Sequence, residues 1–165
     1  MKRLLLLRHA KSSWETAGLA DFDRPLNGRG LRDAPRVGLY LRGQKLRPDL
    51  IISSPAERAR RTAALVVEAA RLQSARLRYD ERIYEADAAR LVEVVSQIEE
   101  DAGEVLLVGH NPGMEELLEL LTGETRRMTT AALALVALDL EKWGKVRERA
   151  GRLEWHLRPK ELADD

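Results

Sequence analysis

The chain has 165 residues, with 28 basic and 27 acidic side chains, a formal net charge of +1 and no cysteine. This length and composition are typical of one globular domain. Without cysteine, disulfides, thiolate nucleophiles and cysteine-based metal sites are excluded. The charge balance argues against a general nucleic-acid-binding protein, which needs surplus positive charge to neutralise phosphates. We therefore expect a monomeric domain with no nucleic-acid partner.

The apolar segments are too short to serve as a signal peptide or to cross a membrane. The run that begins at Leu4 ends before Arg8, whereas a signal peptide needs an apolar region of roughly 7–15 residues. The run over residues 131–138 is far shorter than the roughly 20 residues that span a bilayer. We therefore expect a cytoplasmic protein with no membrane partner.

Short apolar runs alternate along the chain with segments of helical periodicity. Strands are predicted over residues 4–7, 50–52, 105–108 and 131–138, and helices over residues 28–42, 56–72, 88–98 and 114–121. Continuous apolar runs of this length are typical of strands that are covered on both faces. Asn27 and Asp87 are suitable N-caps for the first and third helices, and the alternation over residues 152–157 indicates an edge strand. We predict a single α/β domain over residues 1–158, a three-layer α/β/α sandwich with a mostly parallel central sheet, and a frayed acidic tail over residues 159–165.

Polar residues that suit phosphate binding follow three of the predicted strands. Arg8 and His9 follow the first strand, Ser54 and Arg58 the second, and His110 the third. Because the carboxyl ends of parallel strands meet at one edge of a sheet, where ligands bind, folding should gather these side chains. The fork of donors on arginine matches phosphate oxygens. Two imidazoles and two guanidiniums at one edge therefore predict a pocket for a phosphoryl dianion.

This set of residue types suits phosphoryl transfer through a histidine nucleophile. A neutral imidazole, with an ordinary pKa of about 6.5, is a usable nucleophile near neutral pH. Phosphoryl transfer depends on an in-line nucleophile and on stabilisation of charge on the phosphoryl oxygens. A carboxylic acid must then protonate the leaving group and activate water. This chemistry requires neither a metal nor a cofactor, and we expect none.

Three sequence blocks resemble the motifs of the histidine phosphatase superfamily, the phosphoglycerate-mutase-like enzymes. Residues 7–12 (LRHAKS) look like its Arg-His-Gly motif, with Ala10 in place of glycine. Residues 53–63 (SSPAERARRTA) look like the second motif and residues 108–113 (VGHNPG) like the third. The blocks occur in the order and at the spacing of the family. The resemblance covers roughly residues 2–140 and implies a phosphoglycerate-mutase-like fold.

Within the superfamily, the chain is most similar to the SixA subgroup, which is associated with dephosphorylating phosphohistidine on proteins. The similarity lies in the RHAKS variant of the first motif, in residues 21–26 (DFDRPL) and in the short length. It implies that His9 is the phosphorylated nucleophile. It also implies that Arg8, Arg58 and His110 bind the phosphoryl group.

The proton donor and the outer contacts of the site stay open at this point. Glu81 aligns with the acidic residue of the mutase-like branch and is the first candidate for the proton donor, with Asp21 and Glu85 as alternatives. Ser12 is a further candidate for phosphate binding, and Lys11 is a candidate for the mouth of the pocket.

The segment between the second and third motifs has room only for the rest of one helix, a short strand and another helix. We therefore expect no large lid insertion and a shallow, open site. Such a site suits a phosphate displayed on a protein surface, and we predict a phosphohistidine-bearing protein as the substrate. The alternatives are a phosphatase of a small phosphomonoester metabolite and a non-catalytic phosphate-binding module.

Overall fold

A computed structural model describes residues 1–162, and its centre is a six-stranded sheet. The strands are β1 (Lys2–Arg8), β2 (Leu50–Ser53), β3 (Arg76–Tyr79), β4 (Glu104–Gly109), β5 (Leu133–Leu138) and β6 (Gly151–Leu157). They lie side by side in the order β3-β2-β4-β1-β5-β6. The first four strands are parallel to one another, and β5 is antiparallel to both β1 and β6. The sheet is mostly parallel, as predicted.

Four helices cover the two faces of the sheet: α1 (Gly28–Gly43), α2 (Glu57–Ala70), α3 (Ala88–Ser96) and α4 (Gly113–Thr122). Helices α1 and α2 pack with Leu5 and Leu7 on one face, and α3 and α4 pack with Leu4 and Leu6 on the other. Successive side chains of a strand point to opposite faces, so a strand between two helical layers is continuously apolar. The predicted three-layer α/β/α sandwich is confirmed. Within residues 1–162, none of the helices has the length and apolar character needed to cross a bilayer.

Both predicted N-caps are present. The side chain of Asn27 accepts a hydrogen bond from Gly30 N, and that of Asp87 accepts one from Arg90 N, each at 2.9 Å. Each cap satisfies one of the backbone donors that the first turn of a helix leaves free. Helix α2 ends two residues earlier than predicted, because Arg71 adopts a left-handed conformation there.

Within residues 1–162, no lid domain is inserted over the carboxyl edge of the sheet. The segment between α2 and β4 holds β3, the 3-10 helix Glu81–Ile83 and α3. A smaller cover comes instead from the segment before α1, where the 3-10 helix Asp21–Asp23 lies against α2 and the carbonyl of Asp21 accepts from Arg58. The sequence pattern did not predict this cover.

The residues that follow β6 differ from the frayed tail predicted for residues 159–165. Pro159–Glu161 form a 3-10 helix in which Pro159 is buried, and Leu162 packs against the same core as α1. The carboxylate of Glu161 accepts from the backbone N and from Nε of Arg158, at 3.1 and 2.8 Å. This cap and the apolar contacts hold residues 159–162 on the domain. The rest of the predicted tail, residues 163–165, lies outside the described residues.

Candidate active site

Strand pairing places His9 beside His110. Strands β1 and β4 are neighbours in parallel register, with Arg8 opposite Gly109. The backbone N of His9 donates to the Gly109 carbonyl at 3.0 Å. The residues that follow the two strands therefore leave the sheet together. Their imidazole centroids lie 5.0 Å apart, with the ring planes tilted by 53°.

The backbone determines the tautomer of His9. Nδ1 of His9 lies 2.8 Å from the carbonyl oxygen of Ala10. A carbonyl oxygen can only accept, so we assign the proton of the neutral ring to Nδ1. Ala10 is held in turn, because its N–H donates to Oγ1 of Thr62 at 3.0 Å and the Thr62 hydroxyl donates to the Arg58 carbonyl at 2.6 Å. The lone pair on Nε2 of His9 is therefore available to a substrate.

Ser54 orients His110. The N–H of Ser54 donates to the Val108 carbonyl at 3.0 Å, and its hydroxyl lies 2.7 Å from Nε2 of His110. This hydroxyl oxygen also accepts from Ala56 N at 3.2 Å, and we assign its hydrogen to the bond with Nε2 of His110. The ring proton of His110 then lies on Nδ1. That atom is buried and has no hydrogen-bond partner among residues 1–162.

Arg8 and Arg58 are the two cations of the site, and each lowers the pKa of both imidazoles by repulsion. Nη1 of Arg8 donates to the Met128 carbonyl at 3.0 Å, and the same carbonyl accepts from Nδ2 of Asn111 at 2.8 Å. Nη1 and Nη2 of Arg58 donate to the backbone carbonyl and the carboxylate of Asp21, at 2.7 and 3.0 Å. Both guanidiniums are thus held by the protein.

Burial keeps both imidazoles neutral. Desolvation lowers the pKa of His9 to about 3, and repulsion from His110, Arg58 and Arg8 acts in the same direction. Desolvation also lowers the pKa of His110 to about 4, again with repulsion from Arg58 and Arg8. The side chains are only 7% and 9% exposed. They are therefore less accessible than the shallow, open site that the sequence predicts.

Tyr84 completes the site, and sequence analysis missed it. Its hydroxyl donates to Oδ2 of Asp21 at 2.6 Å, and its ring packs edge-on against His110 and Phe22. Burial, followed by the hydrogen bond to Asp21 and the charge of Glu85, raises the pKa of Tyr84 to about 12. The Tyr84 hydrogen bond also lowers the pKa of Asp21 below the usual range for aspartate. Asp21 is therefore ionised and poorly suited to donate a proton.

The two remaining predicted site residues are Glu81 and Ser12. Glu81 is exposed at the start of the 3-10 helix Glu81–Ile83, and the side chain that this segment brings to His110 is that of Tyr84. Ser12 is buried, and its hydroxyl accepts a hydrogen bond from Nη2 of Arg24. Proton donation by Glu81 and phosphate binding by Ser12 stay predictions.

Metal-ligating side chains do not cluster in the part of the chain that the structure describes. Residues 1–162 contain no group of three or more His, Asp or Glu side chains that could hold a metal ion. The charged groups around the two imidazoles are instead guanidiniums and the Asp21 carboxylate. The arrangement can bind a tetrahedral dianion between cationic and N–H donors, with a nucleophilic nitrogen directed at it.

Comparison with known proteins agrees with this chemistry. The sequence model of the histidine phosphatase superfamily (branch 1) matches residues 4–89, a span that includes Arg8, His9 and Arg58. The chain belongs to the histidine phosphatase superfamily. Within it, the phosphohistidine phosphatase SixA of Escherichia coli is 28% identical over 160 residues, which cover 95% of this chain and 94% of that protein.

Solved structures of SixA proteins share the fold of this histidine phosphatase. A protein of Agrobacterium tumefaciens, provisionally assigned as phosphohistidine phosphatase SixA, has a TM-score of 0.82 and 32% identity over 96% of this chain and 98% of its own. The protein histidine phosphatase SixA in complex with tungstate has a TM-score of 0.83 and 26% identity, with the same coverage of both chains. These findings identify the chain as a phosphatase with the phosphoglycerate-mutase-like fold.

Proposed function

We propose that this histidine phosphatase dephosphorylates phosphohistidine on proteins, through a covalent phosphohistidine intermediate on His9. The observation that carries the proposal is the hydrogen bond between Nδ1 of His9 and the Ala10 carbonyl, which leaves Nε2 with its lone pair. The nucleophile lies beside His110, and both arginines are close enough to repel its protonated form. Donors that are held in place before reaction cost no reorganisation when charge develops on the phosphoryl oxygens.

The reaction proceeds in two displacements at phosphorus. In the first, Nε2 of His9 forms a bond to phosphorus while the bond to the imidazole nitrogen of the substrate breaks, and that nitrogen takes up a proton. Glu81 is the predicted donor of this proton. In the second, a water oxygen attacks phosphorus, the bond to Nε2 breaks, and inorganic phosphate leaves with release of one water proton. Arg8, Arg58 and His110 hold the phosphoryl oxygens in both steps.

Three observations favour a protein substrate. The SixA relatives act on phosphohistidine or protein histidine phosphate by name, and one of them was solved with tungstate, a tetrahedral oxyanion. No lid domain covers the site in the part of the chain that the structure describes. Phe22 and Trp14, in the segment before α1, are 38% and 75% exposed, and Phe22 packs on Tyr84 beside His110. Exposed aromatic side chains are enriched where proteins contact one another.

The deciding experiment measures the transfer of radiolabelled phosphate from a phosphohistidine-bearing carrier protein to the enzyme and to water. We expect release of inorganic phosphate and transient labelling of the enzyme in an acid-labile form. His9→Ala should abolish both signals, whereas His156→Ala should retain them, because His156 lies on β6 outside the site. Intact turnover by His9→Ala would refute the mechanism.

The same assay separates the alternative functions. A strong preference for one of a panel of phosphorylated metabolites would show that the substrate is a small phosphomonoester. The proposed mechanism would still hold. Binding without turnover by the wild type would indicate a non-catalytic module. The proposal also includes metal independence, a cytoplasmic location and a monomeric state. Chelator treatment, cell fractionation and light scattering test these three parts.

A further inference from the structure

A second basic surface lies directly beside the phosphoryl site. It is a groove with a volume of about 320 Å³, and Arg8 forms part of its wall. The remaining charged side chains of the wall are Lys11, Arg29, Arg127 and Glu115. Four basic side chains therefore face one carboxylate, although the whole chain carries a net charge of only +1. We call this feature the basic groove.

The positive charge of the basic groove is largely uncompensated. Among residues 1–162, Lys11 and Arg127 have no ion pair or side-chain hydrogen bond, so both are free to bind an anion. Nε of Arg29 lies 3.5 Å from Asp33, and this pair is partial because the Arg29 side chain is 58% exposed. The Glu115 carboxylate accepts from Met128 N at 3.3 Å.

Three separate segments build the basic groove. Lys11 lies in the loop after β1, Arg29 in the first turn of α1, and Arg127 in the connection between α4 and β5. Lys11 is half-buried, whereas Arg29 and Arg127 are exposed. The positive charge thus runs from the edge of the phosphoryl site outward to the protein surface. Such a gradient suits a chain that crosses the surface better than a metabolite enclosed in a pocket.

We propose that the basic groove is a recognition subsite for acidic side chains that flank the phosphohistidine of a protein substrate. This inference rests on the proposed function, because it assumes that the phosphoryl group enters beside His9 on a polypeptide. Aspartate or glutamate carboxylates near the phosphohistidine pair with Lys11 and Arg127. Charge complementarity of this kind selects partners and orients them on encounter.

The test is a comparison of two peptides that carry a stable phosphohistidine analogue, phosphoryltriazolylalanine. One peptide has glutamates on both flanks, and the other has glutamines at the same positions. Calorimetry gives the dissociation constant of each peptide, so the result does not depend on turnover. We expect the wild type to bind the glutamate peptide roughly 2- to 30-fold more tightly, the range that two exposed ion pairs produce. Near 1 M salt, where the Debye length is about 3 Å, most of this preference should be lost.

Matched variants locate the effect. Lys11→Gln/Arg127→Gln should reduce the preference towards unity. Arg42→Gln/Lys142→Gln makes the same change of charge at the opposite edge of the sheet, at the end of α1 and after β5, and should keep it. Equal affinity of the wild type for the two peptides, or an unchanged preference in the groove variant, would overturn the subsite.

Failure of the proposed function has a different signature. The enzyme would then hydrolyse a phosphorylated metabolite but neither of the two corresponding phosphohistidine peptides. That result would reject phosphohistidine on proteins as the substrate class. The affinity ratio of the analogue peptides would still decide whether the basic groove selects acidic flanks.

Discussion

A Cβ atom on Gly30 would overlap the backbone carbonyl oxygen of Lys11, so the first turn of α1 packs directly on the loop that follows His9. The same carbonyl accepts a hydrogen bond from Asn27 N at 3.0 Å. Asn27 also caps α1 through Gly30 N. The loop after His9 and the start of α1 thus form one packed unit, and only glycine leaves the space that this unit needs.

Gly30→Ala should therefore destabilise the fold and impair the site. We expect the free energy of unfolding to fall by about 1–3 kcal/mol, because the added methyl group meets backbone, which cannot move aside as a side chain can. We also expect kcat to fall as the loop shifts. Urea denaturation measures the first effect and phosphate release the second.

Gly43→Ala is the matched control at the other end of α1. A Cβ atom there meets nothing within 4 Å. Alanine is the better helix former by about 0.5–1 kcal/mol, so this variant should be as stable as the wild type or more stable. Equal destabilisation by both substitutions would contradict the packing of Gly30 on Lys11.

Asp21 is expected to position Arg58 and not to donate a proton. Arginine carries five N–H donors, and Asp21 uses one on each terminal nitrogen of Arg58, which leaves donors for a phosphoryl group. Asp21→Asn keeps an acceptor oxygen and removes the charge, so kcat/KM should fall by roughly 5- to 10-fold. The measurement uses aryl phosphates whose leaving groups differ in pKa.

The dependence on the leaving group decides between the two roles. For Asp21→Asn the loss should be the same for good and poor leaving groups. Glu81→Gln is the comparison, since a proton donor matters most when the leaving group is poor. A loss in Asp21→Asn that grows with the pKa of the leaving group would make Asp21 the donor instead.

Arg58 should be essential for transition-state stabilisation. Removal of one donor group that binds developing charge costs roughly 10²–10³ in kcat, and we expect this loss for Arg58→Ala. Arg58→Lys should recover little of the lost kcat, because an ammonium group cannot reproduce the planar fork of guanidinium donors. Arg60→Ala is the control two residues along α2, where the exposed guanidinium lies over the Tyr79 ring. A loss of less than about threefold in Arg58→Ala would remove it from the site.

The positions of the four central residues of the site were predictable because the ends of apolar strands can be recognised in a sequence. Apolar runs mark β1, β2 and β4, and parallel strands bring the polar residues at their carboxyl ends to one edge. Arg8, His9 and His110 follow directly from this rule, and Arg58 lies in the first turn of the helix after β2. The proximity of these residues therefore follows from the strand ends and does not depend on the paths of the loops.

Asp21 and Tyr84 show where this reasoning ends. They are 63 positions apart, and their hydrogen bond depends on the paths of two irregular segments, residues 13–24 and 80–86. No periodicity specifies such paths. Thr62 is a different case, because it lies on the buried face of α2, but its bond to Ala10 N depends on how closely the helix approaches the loop. The positions of the polar residues at the strand ends were therefore predictable, whereas the contacts of Asp21, Tyr84 and Thr62 that hold them were not.

The two site histidines should stay neutral far below the usual titration range. Burial lowers the pKa of His9 to about 3 and that of His110 to about 4. NMR of the ring C–H resonances in phosphate-free buffer should find midpoints near these values. Addition of tungstate should raise both midpoints, because a bound oxyanion favours the imidazolium form. A free-enzyme midpoint of 6.5 for His9, its ordinary value, would contradict the burial argument.

Acidification should destabilise the fold through the same two histidines. Unfolding exposes them and returns each pKa to about 6.5, so between that pH and about 4 the unfolded state binds more protons. The free energy of unfolding should then fall as the pH falls below about 6.5, by up to about 1.4 kcal/mol per pH unit for each histidine. The lowered pKa of Asp21 affects the free energy of unfolding only at pH values below the ordinary aspartate pKa of 3.8. Urea denaturation at a series of pH values in this window measures the effect. The free energy of unfolding of His110→Asn should change less steeply with pH than that of the wild type. A wild-type free energy of unfolding that stays constant down to pH of about 4.5 would refute the linkage.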